Sequence, residues 1–183
     1  MITLFYIATI TRMDGNKRTK IDLSIIVPAL NEEAVIESTL STLGDLINNE
    51  LLNYSVEVVV VAAKDKDKTA EIAKNSQSLF KNFQLLTPSS KLGKGRDVSL
   101  GVIAANGNVR IFTDADLAIP VSNIKPMFLE LLSSYENGKD LALFGSRTEK
   151  HGSLIRKFFS FASSLTTRVL FLSSLHDMQC GFK

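Results

Sequence analysis

The sequence predicts an α/β protein with a doubly wound, mostly parallel β-sheet flanked by helices. Short apolar runs rich in β-branched residues alternate with longer segments whose apolar residues recur at helical spacing. The run from Val56 to Ala62 is almost entirely valine, which is typical of a parallel strand covered on both faces. At 183 residues, 45% of them hydrophobic, the chain is long enough for one domain with a sizeable core.

The first predicted strand covers residues 21–29, and Asn31 is expected to cap the helix that follows it. Glu32 and Glu33 would then lie in the first helical turn, where acids suit the positive end of the helix dipole. The remaining predicted elements are a strand over 56–62, a helix over 69–75, a strand over 83–86, a helix over 93–105 ended by Asn106-Gly107, a strand from 109, a helix over 124–135, a strand over 141–144 and a helix over about 154–175.

Residues 1–20 are expected to be a poorly ordered leader ahead of a domain that covers 21–183. The apolar opening, residues 1–10, is too short to span a bilayer, which takes about 20 residues. It also lacks the positive start and the cleavage site of a signal peptide. The alternatives are an extra edge strand, a membrane-surface anchor or residues ahead of the true start.

Composition excludes several classes of function. A formal net charge of +2 and the lack of a long basic run argue against nucleic-acid binding. Cys180 is the single cysteine, so no intrachain disulfide forms and a reducing compartment is the simpler expectation. The two histidines and this cysteine have no zinc-site spacing.

Two carboxylates, Asp114 and Asp116, directly follow the predicted strand that begins at Val109. In an open α/β sheet, ligands bind just outside the carboxyl ends of the strands. Two acids at that position offer hard oxygen ligands suited to Mg²⁺ or Mn²⁺ holding a diphosphate. Taken alone, the pair is more typical of a loop that ends in solvated acids.

Two further segments follow predicted strands and begin predicted helices. Residues 27–33, Val-Pro-Ala-Leu-Asn-Glu-Glu, would present backbone N–H groups and polar side chains to a ligand, or would simply cap a helix. Residues 91–97 contain Gly93-Lys94-Gly95, where glycines allow close backbone approach and Lys94 and Arg96 offer charge to phosphate. The segment is neither a P-loop nor a dinucleotide fingerprint, and a solvated basic turn is its alternative.

The last third of the chain contains two more candidate segments. Gly145-Ser146-Arg147 follows a predicted strand, and Arg156 lies nearby in sequence; these cations would suit a diphosphate or a lipid phosphate, or form a solvated positive face. Residues 177–183, Asp-Met-Gln-Cys-Gly-Phe-Lys, are ambiguous as bare chemistry. The predicted helix over 154–175 has an apolar stripe that would lie at a membrane interface or pack against the sheet.

In this order, the five segments resemble the motifs of the family-two glycosyltransferases with the GT-A fold, a Rossmann-like nucleotide-diphospho-sugar transferase fold. Within that family they resemble most the dolichyl-phosphate β-glucosyltransferases, over about residues 21–183. Residues 177–183 are similar to the Asp-Thr-Gln-Cys-Gly-Phe-Lys motif, which separates the glucosyltransferase branch from the mannosyltransferase branch.

The resemblance implies an inverting, metal-dependent enzyme that moves glucose from UDP-glucose onto a polyprenyl or dolichyl phosphate at the cytoplasmic face of a membrane. It implies that Asp114 and Asp116 hold Mg²⁺ or Mn²⁺, and that Asp116, Arg147 and Asp177 are catalytic, with Asp177 orienting acceptor or donor. The implied donor-binding residues are Pro28, Asn31, Glu32, Asp67, Lys94, Asp114 and Arg156.

The sequence departs from the family pattern at two places. Residues 62–69 keep Asp67 and Thr69 but lack the paired acids of the family, one of which contacts the nucleotide base in relatives. Asp65 would compensate from a nearby position. The identity of the donor's base therefore stays open. The chain also ends at Lys183, where relatives continue, which suggests a truncated fragment.

Three alternatives follow. The first is a mannosyltransferase-like enzyme that uses GDP-mannose, and the second an inactive module that binds nucleotide sugars. The third is a haloacid-dehalogenase-type phosphatase, whose nucleophile also lies in an Asp-x-Asp motif. That motif wants Thr or Val where this chain has Ala118.

Overall fold

The computed structural model describes residues 2–4, 20–63, 67–89, 93–139, 141–143 and 145–147. Strands and helices alternate along most of this length, as the sequence predicts. The elements are β1 Ile2–Leu4, β2 Leu23–Pro28, α1 Ile36–Glu50, β3 Val56–Val61, α2 Thr69–Asn75, β4 Asn82–Leu86, α3 Lys94–Ala104, β5 Val109–Phe112, α4 Ile124–Glu136 and β6 Gly145–Arg147.

Four strands form one parallel sheet in the order β4-β3-β2-β5. Leu23 lies opposite Val56 on one side and Val109 on the other, so the three strands begin at the same level. The non-consecutive order requires helical crossovers, which the intervening helices supply. The predicted doubly wound parallel sheet is therefore confirmed.

Apolar side chains cover both faces of this sheet. One face packs Ile25, Val58 and Ile111 into the larger core together with apolar residues of α1 and α4. The other face packs Ile26, Val59 and Val61 against the helix α3. Burial on both faces explains why β2 and β3 are nearly continuous apolar runs rather than alternating ones.

Helix α3 lies close to the sheet because Gly101 has no side chain. A Cβ built at Gly101 would overlap Cγ2 of Ile26 and come within 3.1 Å of Cγ2 of Val61. Both of those neighbours are fully buried. The close approach sets the distance between α3 and the carboxyl ends of β2 and β3.

Replacing Gly101 with alanine is expected to lower the free energy of unfolding by about 1–3 kcal/mol, because a tightly packed core must shift to admit the methyl group. Gly95 of the same helix is the matched control. It has no neighbour within 4 Å of its built Cβ, so Gly95→Ala is expected to raise stability by up to about 1 kcal/mol. Urea denaturation of both variants measures the difference. Equal stability of the two would contradict the packing argument.

Three local predictions are wrong. Asn31 does not cap a helix: its φ is 60°, and α1 begins only at Ile36 with Glu37 as the acid of its first turn. The last residue of helix α3 is Ala104, and the next residue, Ala105, is extended. The predicted cap at Asn106-Gly107 therefore does not end this helix. The strand predicted over 141–144 is not continuous among the described residues: Ala142 forms an isolated bridge, and β6 covers Gly145–Arg147. These boundaries therefore differ from those that local propensity marks.

The chain termini are described only in part. Strand β1 pairs antiparallel with β6, with Ile2 opposite Arg147 and Leu4 opposite Gly145. An extra strand was one of the alternatives for this apolar opening. The predicted helix over 154–175 lies outside the described residues. Within the ranges the structure describes, no helix combines the length and apolar character that crossing a membrane requires.

Candidate functional site

A cleft of about 240 Å³ opens at the carboxyl ends of β2 and β5. These two strands are paired through Ile26 and Phe112, so the residues that follow each strand meet at the same edge of the sheet. The start of α3 forms another wall. The lining residues are Pro28, Ala29, Leu30, Glu32, Lys94, Asp97, Asp114, Ala115 and Asp116.

Asp114 presents a buried oxygen to this cleft. Its Oδ1 atom is inaccessible to solvent and receives no hydrogen bond from the part of the chain that the structure describes. The ammonium group of Lys94 lies 2.5 Å from this oxygen, so the charges are paired although the angles are not those of a hydrogen bond. Lys94 begins α3, and its side chain is 58% exposed. Asp114 is therefore paired with a counter-ion whose side chain is exposed enough to move.

The loop that contains Asp114 and Asp116 is stabilised by hydrogen bonds within the loop and by one from helix α1. The backbone N–H of Leu117 donates to the carbonyl of Asp114, and the N–H of Ala118 donates to Oδ1 of Asp116 at 3.0 Å. From α1, the buried hydroxyl of Thr39 donates to the carbonyl of Ala115 at 2.5 Å. Leu117 has a φ of 46°, a left-handed conformation that costs a branched residue free energy. The fold thus holds both carboxylates in a fixed turn.

Negative charge dominates the cleft. Partial burial raises the pKa of Glu32, and the nearby carboxylates of Asp116, Asp114 and Asp67 raise it further, while Lys94 opposes them. Four acids and one lysine therefore share an electrostatic environment. A bound cation would relieve this repulsion and favour the charged forms of the acids.

The loops after β2 and β3 are tied together beside the cleft. The backbone N–H of Glu32 donates to the hydroxyl of Thr69 at 2.9 Å, and that hydroxyl donates to Oδ2 of Asp67. The N–H of Lys68 donates to Glu33 at 3.0 Å. Asp67 therefore accepts a hydrogen bond at the start of α2. It is linked to the cleft indirectly, because the same Thr69 hydroxyl also bonds to Glu32, which lines the cleft.

The donor atoms of the cleft fit a hard divalent cation. Asp114 and Asp116 supply carboxylate oxygens, the ligand type that Mg²⁺ and Mn²⁺ prefer, and the Lys94 ammonium already occupies a cation position beside Asp114. Within the described ranges, no three His, Cys, Asp or Glu side chains converge closely enough to hold a metal by themselves. A metal at this site would need further oxygens from a ligand, and a diphosphate supplies such oxygens.

The structure brings together five of the predicted site residues: Pro28, Glu32, Lys94, Asp114 and Asp116 all line the cleft. Asn31 lies on the same loop but is exposed and outside the lining, and Asp67 lies behind Glu32. Arg147 lies in β6, opposite Ile2. Asp65, Arg156 and Asp177 lie outside the described residues.

Two residues at the site were not predicted. Asp97 lines the cleft from the first turn of α3 and is 3% exposed. Asp97 lies four residues before Gly101, and residues at this spacing share one face of a helix. Because Gly101 packs on the sheet, this spacing would have placed Asp97 on the inner face of α3. Thr39 reaches the acid loop from α1, and no sequence pattern indicates this contact because the two residues are far apart along the chain.

Fold and site define an α/β protein with an acidic cleft at the carboxyl edge of a parallel sheet. The chain belongs to glycosyl transferase family 2, whose family model matches residues 24–163. The fold is that of the GT-A glycosyltransferases. TarS of S. aureus, residues 1–349, shares it with a TM-score of 0.52 and 24% identity over 63% of this chain and 33% of that one.

Curated relatives are also similar over most of the chain. A dolichyl-phosphate beta-glucosyltransferase of Trichomonas vaginalis is 28% identical over 175 residues, covering 91% of this chain and 54% of the relative. An enzyme of the same description from Dictyostelium discoideum is 26% identical over 180 residues, covering 92% and 55%. The chain thus spans about half the length of these relatives. Membership of the transferase family decides against the phosphatase alternative.

Proposed function

We propose that this chain is an inverting glycosyltransferase domain that moves a hexose, glucose from UDP-glucose, onto a dolichyl-type polyprenyl phosphate. The observation on which this rests most is the cleft at the ends of β2 and β5, where Asp114 and Asp116 face Lys94. The similarity to dolichyl-phosphate beta-glucosyltransferases supports the acceptor and the sugar. The enzyme would act at a membrane, because its acceptor is a lipid, and the family resemblance implies the cytoplasmic face.

In this proposal Asp114 and Asp116 hold Mg²⁺ or Mn²⁺ against the donor diphosphate. The ion supplies charge neutralisation of the nucleoside diphosphate that leaves. Lys94 moves from Asp114 to a phosphate oxygen, which its exposed side chain allows. Pro28, Asn31, Glu32 and Asp67 frame the nucleotide from the loops after β2 and β3.

The acceptor end of the site is proposed from the residues nearer the C-terminus. Arg147 and Arg156 would contact phosphate, and Asp177 would orient the acceptor or the donor. A phosphate monoester is already anionic near neutral pH, so its attack on the sugar needs no strong general base. Attack from the side opposite the leaving group inverts the anomeric configuration of the sugar.

Transfer of radiolabelled glucose from UDP-glucose to polyprenyl phosphate in detergent, with Mn²⁺ or with EDTA, tests the proposal. GDP-mannose serves as the parallel donor. Metal-dependent label in the lipid phase from UDP-glucose is the expected result. Label from GDP-mannose alone would identify the mannosyltransferase alternative. Nucleotide binding without transfer from either donor would identify a binding module that lacks part of its acceptor site.

Replacing Lys94 with methionine is expected to strengthen Mn²⁺ binding in the absence of nucleotide and to weaken UDP-glucose binding several-fold. The ammonium group competes with the ion for Asp114 in the free protein and pairs with phosphate in the complex. Calorimetric titration with Mn²⁺ alone, and with UDP-glucose in excess Mn²⁺, measures both effects. Lys74→Met, an exposed lysine of α2, is the control. Unchanged Mn²⁺ affinity in Lys94→Met would contradict the competition.

A further inference from the structure

Asp97 is a buried acid on the wall of the cleft. It lies in the first turn of α3, is 3% exposed, and lines the same cavity as Lys94 and Asp114. None of the described residues donates a hydrogen bond to its carboxylate. Burial raises its pKa, and the charge of Arg96 only partly opposes this. The cavity is therefore the one polar environment that the described structure offers to this side chain.

A buried carboxylate without a donor destabilises a folded protein, so its presence requires a reason. Glu57 provides the comparison within this fold. It is also 3% exposed, but it accepts hydrogen bonds from Ser24, Gln84 and Asn106. Glu57 is buried with hydrogen-bond donors, whereas none of the residues that the structure describes donates a hydrogen bond to Asp97. The helix dipole does not explain Asp97, because an exposed acid in the first turn would gain the same interaction without the cost of burial.

The chemistry of the cleft limits what Asp97 could bind. It is not a third metal ligand beside Asp114 and Asp116, because no three acids of the described ranges converge on one point. Phosphate is excluded as a partner of a carboxylate by charge repulsion, and Lys94 already lies against Asp114. The remaining donors on a nucleotide sugar are the N–H groups of its base and its hydroxyl groups. Among these, two neighbouring hydroxyls match the two oxygens of a carboxylate.

We propose that Asp97 is a donor-binding residue whose carboxylate accepts hydrogen bonds from hydroxyl groups of the nucleotide sugar. This assignment rests on the proposed function, because it requires a nucleotide sugar in the cleft. It predicts an unusual combination of effects. Removing the acid weakens ligand binding and at the same time leaves the fold as stable or more stable, because no hydrogen bond within the described protein is lost.

Calorimetry in Mn²⁺ with the isosteric Asp97→Asn and with Asp97→Ala tests the assignment against UDP-glucose and inorganic pyrophosphate. We expect Asp97→Ala to bind UDP-glucose about tenfold or more weakly, Asp97→Asn to lose less, and pyrophosphate affinity to stay unchanged, because pyrophosphate has no hydroxyl donor. The melting temperature of both variants should equal or exceed that of the unmodified chain. Asp45→Ala, an exposed acid of α1, is the matched control.

Each contrary outcome has a separate meaning. UDP-glucose affinity unchanged in Asp97→Ala would overturn the assignment alone. A lower melting temperature with parallel losses for both ligands would identify Asp97 as a structural residue and would overturn it too. Failure of the unmodified chain to bind UDP-glucose at all would overturn the proposed function together with this assignment.

Discussion

The Asp114→Asn variant is expected to lose more than about a hundredfold of metal-dependent sugar transfer while it keeps its folded stability. Changing an outer-shell partner of a metal ligand already costs about 10–100-fold, and Asp114 is proposed as a direct ligand. The fold should tolerate the change, because within the described residues Oδ1 of Asp114 is paired with the exposed side chain of Lys94 and receives no hydrogen bond. Transfer assays with Mn²⁺ and thermal unfolding of the same preparation measure both effects.

Asp45→Asn on the exposed side of α1 is the control for this prediction, and it should transfer sugar at the normal rate. Mn²⁺ titration of the Asp114 variant separates loss of the metal from loss of later steps. Near-normal metal-dependent transfer by Asp114→Asn would remove the acid pair from the mechanism. A large fall in melting temperature would instead mean that Asp114 holds the loop after β5.

The second large effect is expected for Glu57→Ala, which should lower the free energy of unfolding by about 3 kcal/mol. Glu57 lies on the α3 face of the sheet, at the end opposite the cleft. Its carboxylate accepts from the hydroxyl of Ser24 at 2.6 Å, from the Gln84 amide at 2.5 Å, and from the backbone and side chain of Asn106 at 2.9 Å and 3.0 Å. Truncation would leave the buried hydroxyl of Ser24 and the partly buried donors of Gln84 and Asn106 without this acceptor.

The contribution of Glu57 should also depend on pH. Burial alone would raise the pKa of Glu57, but the hydrogen bonds from Ser24, Asn106 and Gln84 outweigh it, so the folded pKa lies below its usual range. A lowered folded pKa means that the stabilisation is complete above the unfolded pKa of about 4.3 and is lost as the pH falls through the folded pKa. The stability difference between the unmodified chain and Glu57→Ala should therefore shrink in strong acid.

Urea denaturation at pH 7 and at lower pH values measures this difference. Glu50→Ala is the matched control. Within the part of the chain that the structure describes, Glu50 forms an exposed ion pair with Lys125 at 3.7 Å, so its replacement should change stability by less than about 0.5 kcal/mol. Similar effects of the two substitutions, or a difference that does not decrease in acid, would contradict the role given to the Glu57 hydrogen bonds.

The central sheet was predictable from the sequence because its strands are buried on both faces. Such strands must be apolar and β-branched throughout, as in the run over 56–61, and that pattern is visible without any tertiary information. The acid pair was predictable for a related reason, since parallel strands bring their carboxyl ends to one edge. The strand order and the contact between β2 and β5 place Pro28 and Asp114 in one cleft.

Features that depend on tertiary contacts were not predictable. Asparagine is a preferred residue at the start of a helix, which is why Asn31 was predicted to cap one. In the structure Asn31 has a φ of 60°, and the backbone N–H of the next residue, Glu32, donates to the hydroxyl of Thr69. Asp97 resembles an ordinary acid in a first helical turn, and its burial follows only from how closely Gly101 lets α3 approach the sheet. In both cases packing decides the outcome over local preference.

The hydrogen bond from Thr39 to the carbonyl of Ala115 affects when the acid loop becomes ordered. It fastens the middle of the loop to α1, whose residues Leu40 and Leu43 belong to the main core. The conformational entropy of the loop is therefore lost when the domain folds, not when the ligand arrives. Ligand association should accordingly resemble the filling of a preformed cleft, with little loop rearrangement at Ala115 to slow it.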